Sequence, residues 1–222
     1  MRINQFIAAA TGLSRREADT LIAAGRVKLN GQPAKLGMRL EPHDEVQLDD
    51  QVLTTKDALY LVLNKPVGYV CSRAKQGKSP TIYELLPKQY QHLKPVGRLD
   101  KDSQGLMLMT NDGWLTQQLT HPSHQKIKRY EVGLNRPLND SDASRLELGV
   151  MLEDGPSRLT LERVDSAQLL ISMSEGRNRQ IRRTFIALGY KVVKLKRVEF
   201  GKLKLYDLGE GEYKLVGKAE IQ

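Results

Sequence analysis

A chain of 222 residues exceeds one average domain, and its 40% hydrophobic content can build a core, so one main domain plus a small module is expected. The single cysteine, Cys71, excludes an intrachain disulfide and a thiolate zinc cluster. That cysteine usage predicts a cytoplasmic protein, and the longest early apolar run, Phe6-Ile7-Ala8-Ala9-Ala10, falls far short of the ~20 residues of a membrane span, so no membrane partner is expected.

The formal net charge of +9 points to a polyanionic partner, and it has a location. Residues 176–204 hold ten basic side chains (Arg177, Arg179, Arg182, Arg183, Lys191, Lys194, Lys196, Arg197, Lys202, Lys204) against one acid, Glu199, which equals the whole excess. The N-terminal region is segregated as well. Residues 1–39 carry seven basic and two acidic residues, whereas residues 41–50 carry five acidic and none basic.

In chain order, residues 1–54 form the first unit. Ser14-Arg15-Arg16-Glu17-Ala18-Asp19 predicts a helix start: Ser14 caps, Glu17 completes a capping box, and Ala18, Leu21 and Ile22 supply an apolar stripe. Gly25 ends the helix, Val27-Lys28-Leu29-Asn30-Gly31 alternates as a strand into a turn, and Glu45-Val46-Gln47-Leu48 is a second strand. The string from Ser14 through Gly31 resembles a small RNA-binding module first named from a small-subunit ribosomal protein, the S-four module. That resemblance implies phosphate contacts from Arg15, Arg16, Arg26 and Lys28, which position an RNA without reading its bases.

The polar stretch 51–58 leads out of this unit, with a linker at 55–58 and one mixed domain over 59–222. Tyr60-Leu61-Val62-Leu63 is a buried strand running into the turn Asn64-Lys65-Pro66-Val67-Gly68, where Lys65 is structural or phosphate-facing. Residues 72–81, with Arg73, Lys75 and Lys78, read as a mobile basic loop, and residues 81–86 as a short helix. Gly97-Arg98-Leu99-Asp100-Lys101-Asp102-Ser103-Gln104-Gly105-Leu106 then turns into the apolar strand Leu106-Met107-Leu108-Met109-Thr110, closed by Asn111-Asp112-Gly113. A carboxylate at the mouth of a buried strand is costly unpartnered, so Asp100 needs a partner.

A helix is expected over 113–119. His121 and His124 have a spacing that suits a metal, but no Cys, His or carboxylate cluster supports it, and no metal is assigned. Lys126-Ile127-Lys128-Arg129-Tyr130-Glu131-Val132 alternates as a strand with Tyr130 on the face of Lys128 and Val132. A helix over 138–149 precedes a hairpin of strands 159–164 and 168–173 joined by Asp165-Ser166-Ala167. Glu175-Gly176-Arg177-Asn178-Arg179-Gln180-Ile181-Arg182-Arg183 opens a helix with Ile181, Phe185 and Leu188 on one face. Gly189 ends it, and the arginines outside the apolar face are expected to turn toward solvent or a ligand. Short elements without regular βα alternation argue for an antiparallel or mixed sheet.

The ten-residue string 97–106 resembles the active-site loop of the pseudouridine synthases of the RsuA/RluF type. Lys65-Pro66-Val67-Gly68 is similar to that family's opening motif, and the string 175–183 to its third. The resemblance covers nearly the whole chain. It implies that Asp100 is the catalytic carboxylate, that Tyr130 stacks on the target base or serves as a base, and that Arg182 pairs with Asp100. Arg98, Lys128, Arg177, Arg179 and Arg183 would join the RNA contacts. The implied fold is α+β: a small N-terminal α/β RNA-binding module, then a catalytic domain with a largely antiparallel mixed sheet, flanking helices and a central cleft. The implied partner is ribosomal RNA, handled by a monomer. Thr184, where Met is common, and Cys71, where Ser or Thr is common, depart from the usual pattern. Residues 101–104 and 178–180 are similar to the RluF subgroup, and residues 68–72 to RsuA.

Turning uridine into pseudouridine breaks the bond from ribose C1′ to base N1, rotates the base and rejoins it through C5. No redox change occurs and no group is imported, so no cofactor is expected. One ionised carboxylate is the minimum, as nucleophile toward the sugar or as base, and a neighbouring arginine favours its ionised form. Asp102, two residues from Asp100 in one loop, is expected to cap or salt-bridge. Alternatives are a transfer RNA synthase of the same chemistry and a non-catalytic ribosome-assembly factor, which would not need Asp100, Tyr130 and Arg182 together.

Overall fold

The computed structural model describes the chain except residues 56, 75, 122–124, 165–167 and 222. Lys75, His124 and the turn Asp165-Ser166-Ala167 therefore lie outside the described residues.

Two compact units form: Met1–Leu59 with Asn111–Trp114, and Tyr60–Thr110 with Leu115–Gln222. The first contains α1 (Ile3–Thr11), α2 (Arg15–Ala23) and four short strands, β1 (Val27–Leu29), β2 (Gln32–Pro33), β3 (Val46–Leu48) and β4 (Gln51–Val52), in the order β2-β1-β3-β4. The Ser14 cap is built as its sequence predicts: Ser14 Oγ accepts from Glu17 N at 3.2 Å while Glu17 Oε2 accepts from Ser14 N at 2.6 Å. Helix α1 is not anticipated from the apolar run alone; Ile3 and Ile7, one turn apart, bury it against Ala18, Ile22, Val27 and Val46. β4 pairs with β3 at Gln47↔Val52, so residues 51 and 52 are sheet rather than part of the way out. Asn111 belongs to this unit because its amide closes the end of it: Oδ1 accepts from Leu59 N at 2.8 Å and Nδ2 donates to Asp57 O at 2.9 Å.

In the second unit the strands are β5 (Tyr60–Lys65), β6 (Lys94–Pro95), β7 (Gln104–Thr110), β8 (Lys128–Leu134), β9 (Val150–Leu152), β10 (Gly155–Ser157), β11 (Thr160–Arg163), β12 (Gln168–Met173), β13 (Val192–Phe200), β14 (Leu203–Lys204) and β15 (Tyr213–Leu215). The helices are α3 (Gly113–Thr120), whose start falls in the first unit, α4 (Asp140–Leu148), α5 (Gln180–Ala187) and α6 (Lys218–Ile221). Among the described residues nine strands make one sheet, β11-β12-β8-β13-β7-β5-β15 with β6 and β14 paired at β7 and β13, while β9 and β10 form a separate hairpin. Every pairing in the large sheet is antiparallel except β13 with β7. Strands β5 and β7 are buried on both faces, which is why they read as continuous apolar runs rather than alternating ones. Within the expected mobile loop Arg73 is anchored: its Nη2 donates to the carbonyls of Gln91 and Leu93, and its guanidinium lies 4.4 Å from the Tyr83 ring centre.

The parallel junction sets the position of the loop before β7. It consists of Lys196↔Gln104 and Arg197↔Gly105, and Gly105 sits at φ +104°. A Cβ there would meet the Arg197 backbone, lying 2.7 Å from its nitrogen. Gly105→Ala is therefore expected to cost roughly 3 kcal/mol or more, by overpacking against backbone and by left-handed strain, read as a lowered midpoint in chemical unfolding.

Candidate active site

The loop from Gly97 to Ser103 is held from below. Lys65, at the end of β5, is fully buried, and its Nζ donates to the carbonyls of Pro66 at 3.0 Å, Asp100 at 3.1 Å and Ser103 at 2.6 Å. Burial pulls this ammonium below its usual pKa, opposed by Cys71, Asp100 and Asp102. Gly68 N donates to Lys101 O at 2.7 Å and Cys71 Sγ to Leu99 O at 3.3 Å, so the turn after β5 and the loop before β7 are one bonded body. Ser103 N closes the loop onto Asp100 O at 3.1 Å. The Lys-Pro-x-Gly string thus supplies a scaffold for the backbone of Asp100.

Above this loop lies a cleft of about 1040 Å³. Asp100, Tyr130, Arg98, Lys128, Arg179 and Arg197 all line it, with Phe200, Leu195 and Ile181 as apolar wall. The Asp100 side chain is 32% exposed, enough to meet a ligand, while Tyr130 is nearly covered. Tyr130 on β8 pairs in register with Arg197 on β13, and Arg197 with Gly105 on β7, so three adjacent strands bring these groups to one level of the sheet.

The arginine pairing differs from the expected one. Arg182 does not bond Asp100: Nη1 donates to Val192 O at 2.9 Å, Nη2 to Asp102 O at 2.7 Å, and Nε lies 3.3 Å from Asp102 Oδ2. It is also buried rather than turned to solvent, because its fork is taken up by backbone carbonyls on both sides of α5's packing face. Burial accordingly lowers its pKa, opposed by Asp102. The cation nearest Asp100 is Arg179, with Nη1 3.9 Å from Asp100 Oδ2 and a two-pronged pair to Asp102 at 2.7 and 2.8 Å. Arg179 holds the Asp102 carboxyl below its usual value. Arg179 itself adopts a left-handed backbone, φ 48° and ψ 30°, strain of the kind found at functional sites. Asp102 therefore salt-bridges, as its loop position predicts, and joins both arginines to the Asp100 loop.

With this geometry established, known proteins give it a family. The model of the RNA pseudouridylate synthase family matches residues 59–187, and that of the S4 domain residues 1–46. This chain belongs to the RNA pseudouridylate synthases. It is 38% identical over 229 residues to "Ribosomal small subunit pseudouridine synthase A" of Haemophilus influenzae, covering 100% of this chain and 98% of that one. It is 32% identical over 229 residues to "Ribosomal large subunit pseudouridine synthase B" of Bacillus subtilis, covering 100% and 94%. A solved structure described as "Crystal structure of pseudouridylate synthase" matches with a TM-score of 0.73 at 37% identity, over 100% of this chain and 98% of that one.

The synthase spends several of its sequence-predicted RNA contacts on itself. Arg177 donates to Asp154 Oδ1 and to the carbonyls of Asp154, Gly155 and Pro156, which clamps the β9–β10 hairpin to the start of α5. Arg183 donates to Asn178 O at 2.9 Å and to Asp154 Oδ2 at 2.7 Å. Lys128 Nζ reaches the carbonyls of Ser174 and Glu175, and burial first, then the Arg197 charge, keeps its pKa below the usual value. Arg26 pairs with Asp49, and Lys28 Nζ lies 2.5 Å from Asp50 Oδ1; both pairs are at the surface and cheap to exchange for a phosphate. Arg15, Arg16 and Arg98 are exposed. Arg197, which the sequence offers only as one of ten basic residues, also lines the cleft; it lies on a strand whose pairing with β8 carries shifts of register.

Lys65→Met is expected to leave three buried carbonyls short of a charged donor. The loss of about 3 kcal/mol would lower the thermal midpoint by roughly 6–12 °C, read by differential scanning calorimetry.

Proposed function

We propose that this synthase converts uridine to pseudouridine in ribosomal RNA, with Asp100 as the carboxylate that acts at the ribose. The observation carrying this is the placement of Asp100 on a bonded, immobilised loop in the same cleft as Tyr130. The relatives named for small-subunit and large-subunit RNA supply the substrate class.

A uridine within folded RNA is out of reach, so the enzyme extrudes it into the cleft at a cost of a few kcal/mol. Stacking on an aromatic returns about 1–3 kcal/mol per base, and Tyr130 is the aromatic suited to do this. Asp100, ionised, attacks C1′ or removes the C2′ proton; in either route the C1′–N1 electron pair passes to N1. The Asp102 carboxylate positions Arg179 beside Asp100, so Arg179 takes the supporting role that the motif assigns to Arg182, and Arg182 fixes the loop backbone. Arg98 at the cleft, and Arg15 and Arg16 in the unit that contains the S4 domain, hold phosphates, with binding that weakens with salt. The protein works as a cytoplasmic monomer, with a module over 1–54 and a catalytic domain over 59–222; no helix among the described residues is long and apolar enough to cross a membrane.

Pseudouridine mapping of total ribosomal RNA by carbodiimide-dependent reverse-transcription stops tests this in cells with wild type, deletion or Asp100→Asn. One site is expected to vanish in the deletion and stay absent with Asp100→Asn, which also names the subunit. Persistence of every ribosomal site would refute the substrate class and direct mapping to transfer RNA.

A further inference from the structure

Among the described residues, Arg197 is a buried cation with neither a carboxylate nor a full set of carbonyls around its guanidinium. Its residue is only 2% exposed. Nε donates to Leu106 O at 2.8 Å, but Nη2 is buried with no hydrogen-bond partner, and among the described residues no carboxylate lies within 4.0 Å of its guanidinium. Two other buried cations have more to meet their charge: Lys65 donates to three carbonyls, and Arg182 donates to two and has a carboxylate, Asp102 Oδ2, 3.3 Å from its Nε, although that Nε makes no hydrogen bond. The Phe200 ring lies 5.2 Å from the Arg197 guanidinium, and Lys128 shares that ring from 5.8 Å. A buried cation in this state is expensive, and a well-packed apolar residue would be more stable.

The cost is concentrated where a reaction takes place. Arg197 lines the cleft with Asp100 and Tyr130, and its backbone pairs with both Gly105 and Tyr130. Its Cα is locked by the tight contact at Gly105 and its Nε by Leu106 O, so the guanidinium cannot withdraw.

We propose that Arg197 binds the uracil while it is detached and stabilises the negative charge it then carries; this rests on the reaction proposed above. When the C1′–N1 bond breaks, its electron pair goes to N1 and the base becomes an anion delocalised over N1, O2 and O4. The base rotates, C5 bonds to C1′, the C5 proton leaves and N1 takes up a proton, so atoms and electrons balance. Uridine before cleavage and pseudouridine after it are neutral, so a fixed cation favours the intermediate and the transition states flanking it over both. A charge preorganised in this way accelerates cleavage without tightening ground-state binding.

The test is Arg197→Met, which removes the charge and retains an unbranched apolar stem, compared with wild type and Arg197→Lys. Measurements are single-turnover conversion of ribosomal RNA from deletion cells, affinity for that RNA, and the thermal midpoint. Arg197→Met is expected to lose about 100-fold or more in rate, with RNA affinity unchanged and a midpoint equal to or above wild type; Arg197→Lys falls between. The same RNA transcribed with 5-fluorouridine has a better leaving base, so the loss of 5-fluorouridine from nucleoside digests should be impaired less by the substitution than conversion of uridine is. A wild-type rate in Arg197→Met overturns the inference. A lowered midpoint with equal defects on both bases overturns it as well, in favour of a structural role. If Arg197→Met does not fold, the comparison of the two bases is made on Arg197→Lys and decides in the same way. Failure of the wild type to convert either RNA would instead bring down the proposed reaction, and the inference with it.

Discussion

The site depends on one buried ammonium. Lys65 ends a strand that is apolar on both sides, and a lysine there is tolerated only because three carbonyls converge on it. Two of those carbonyls belong to Asp100 and Ser103, so the energy that offsets burying the charge is spent on fixing the loop's backbone. Removing either party would leave the other exposed to an apolar interior, and this mutual requirement makes the loop rigid rather than merely ordered. A carboxylate carried on a rigid loop is already oriented before substrate arrives, which removes reorganisation from the barrier.

Charge is divided between work inside the fold and work on the ligand. The basic segment 176–204 looks from its composition like a field open to RNA, yet Asp102 and Asp154, both outside it, absorb Arg177, Arg179, Arg182 and Arg183 in part. These pairs tie α5 to the Asp100 loop on one side and to the β9–β10 hairpin on the other. Cations at the cleft outside these pairs include Arg98, Lys126 and Arg158, which are exposed, and Lys128 and Arg197, which share the Phe200 ring. The net excess of charge therefore says that a polyanion binds, but only pairing geometry says which side chains meet it.

Much of the fold was legible because local signals and packing agreed. The Ser14 capping box, the β5 and β7 apolar runs and the α5 stripe of Ile181, Phe185 and Leu188 each state their structure in a few residues. Strand β13 was hidden: Val192-Val193-Lys194-Leu195-Lys196-Arg197-Val198-Glu199-Phe200 carries charges at positions that a central strand should keep apolar, and shifts of register break its alternation. Helix α1 lacks a strong cap and was readable only as an apolar run. In the site, the string around Asp100 points to a residue that lines the cleft, but the arginine nearest it was not legible, because Arg179 and Arg182 stand three apart in sequence and only the path of α5 decides which one reaches which carboxylate. The parallel pairing of Gly105 with Arg197, ninety-two residues on, has no local signal at all.

The most direct test of the central claim follows the proton that must leave C5. Ribosomal RNA from deletion cells, labelled with tritium at uridine C5, is mixed with an excess of purified enzyme, and tritium released to water is counted. Wild type should release tritium in proportion to one uridine per RNA, and Asp100→Asn should release none. Release by Asp100→Asn at the wild-type rate would contradict the account, since the carboxylate that the whole loop is built to hold would then have no part in the chemistry.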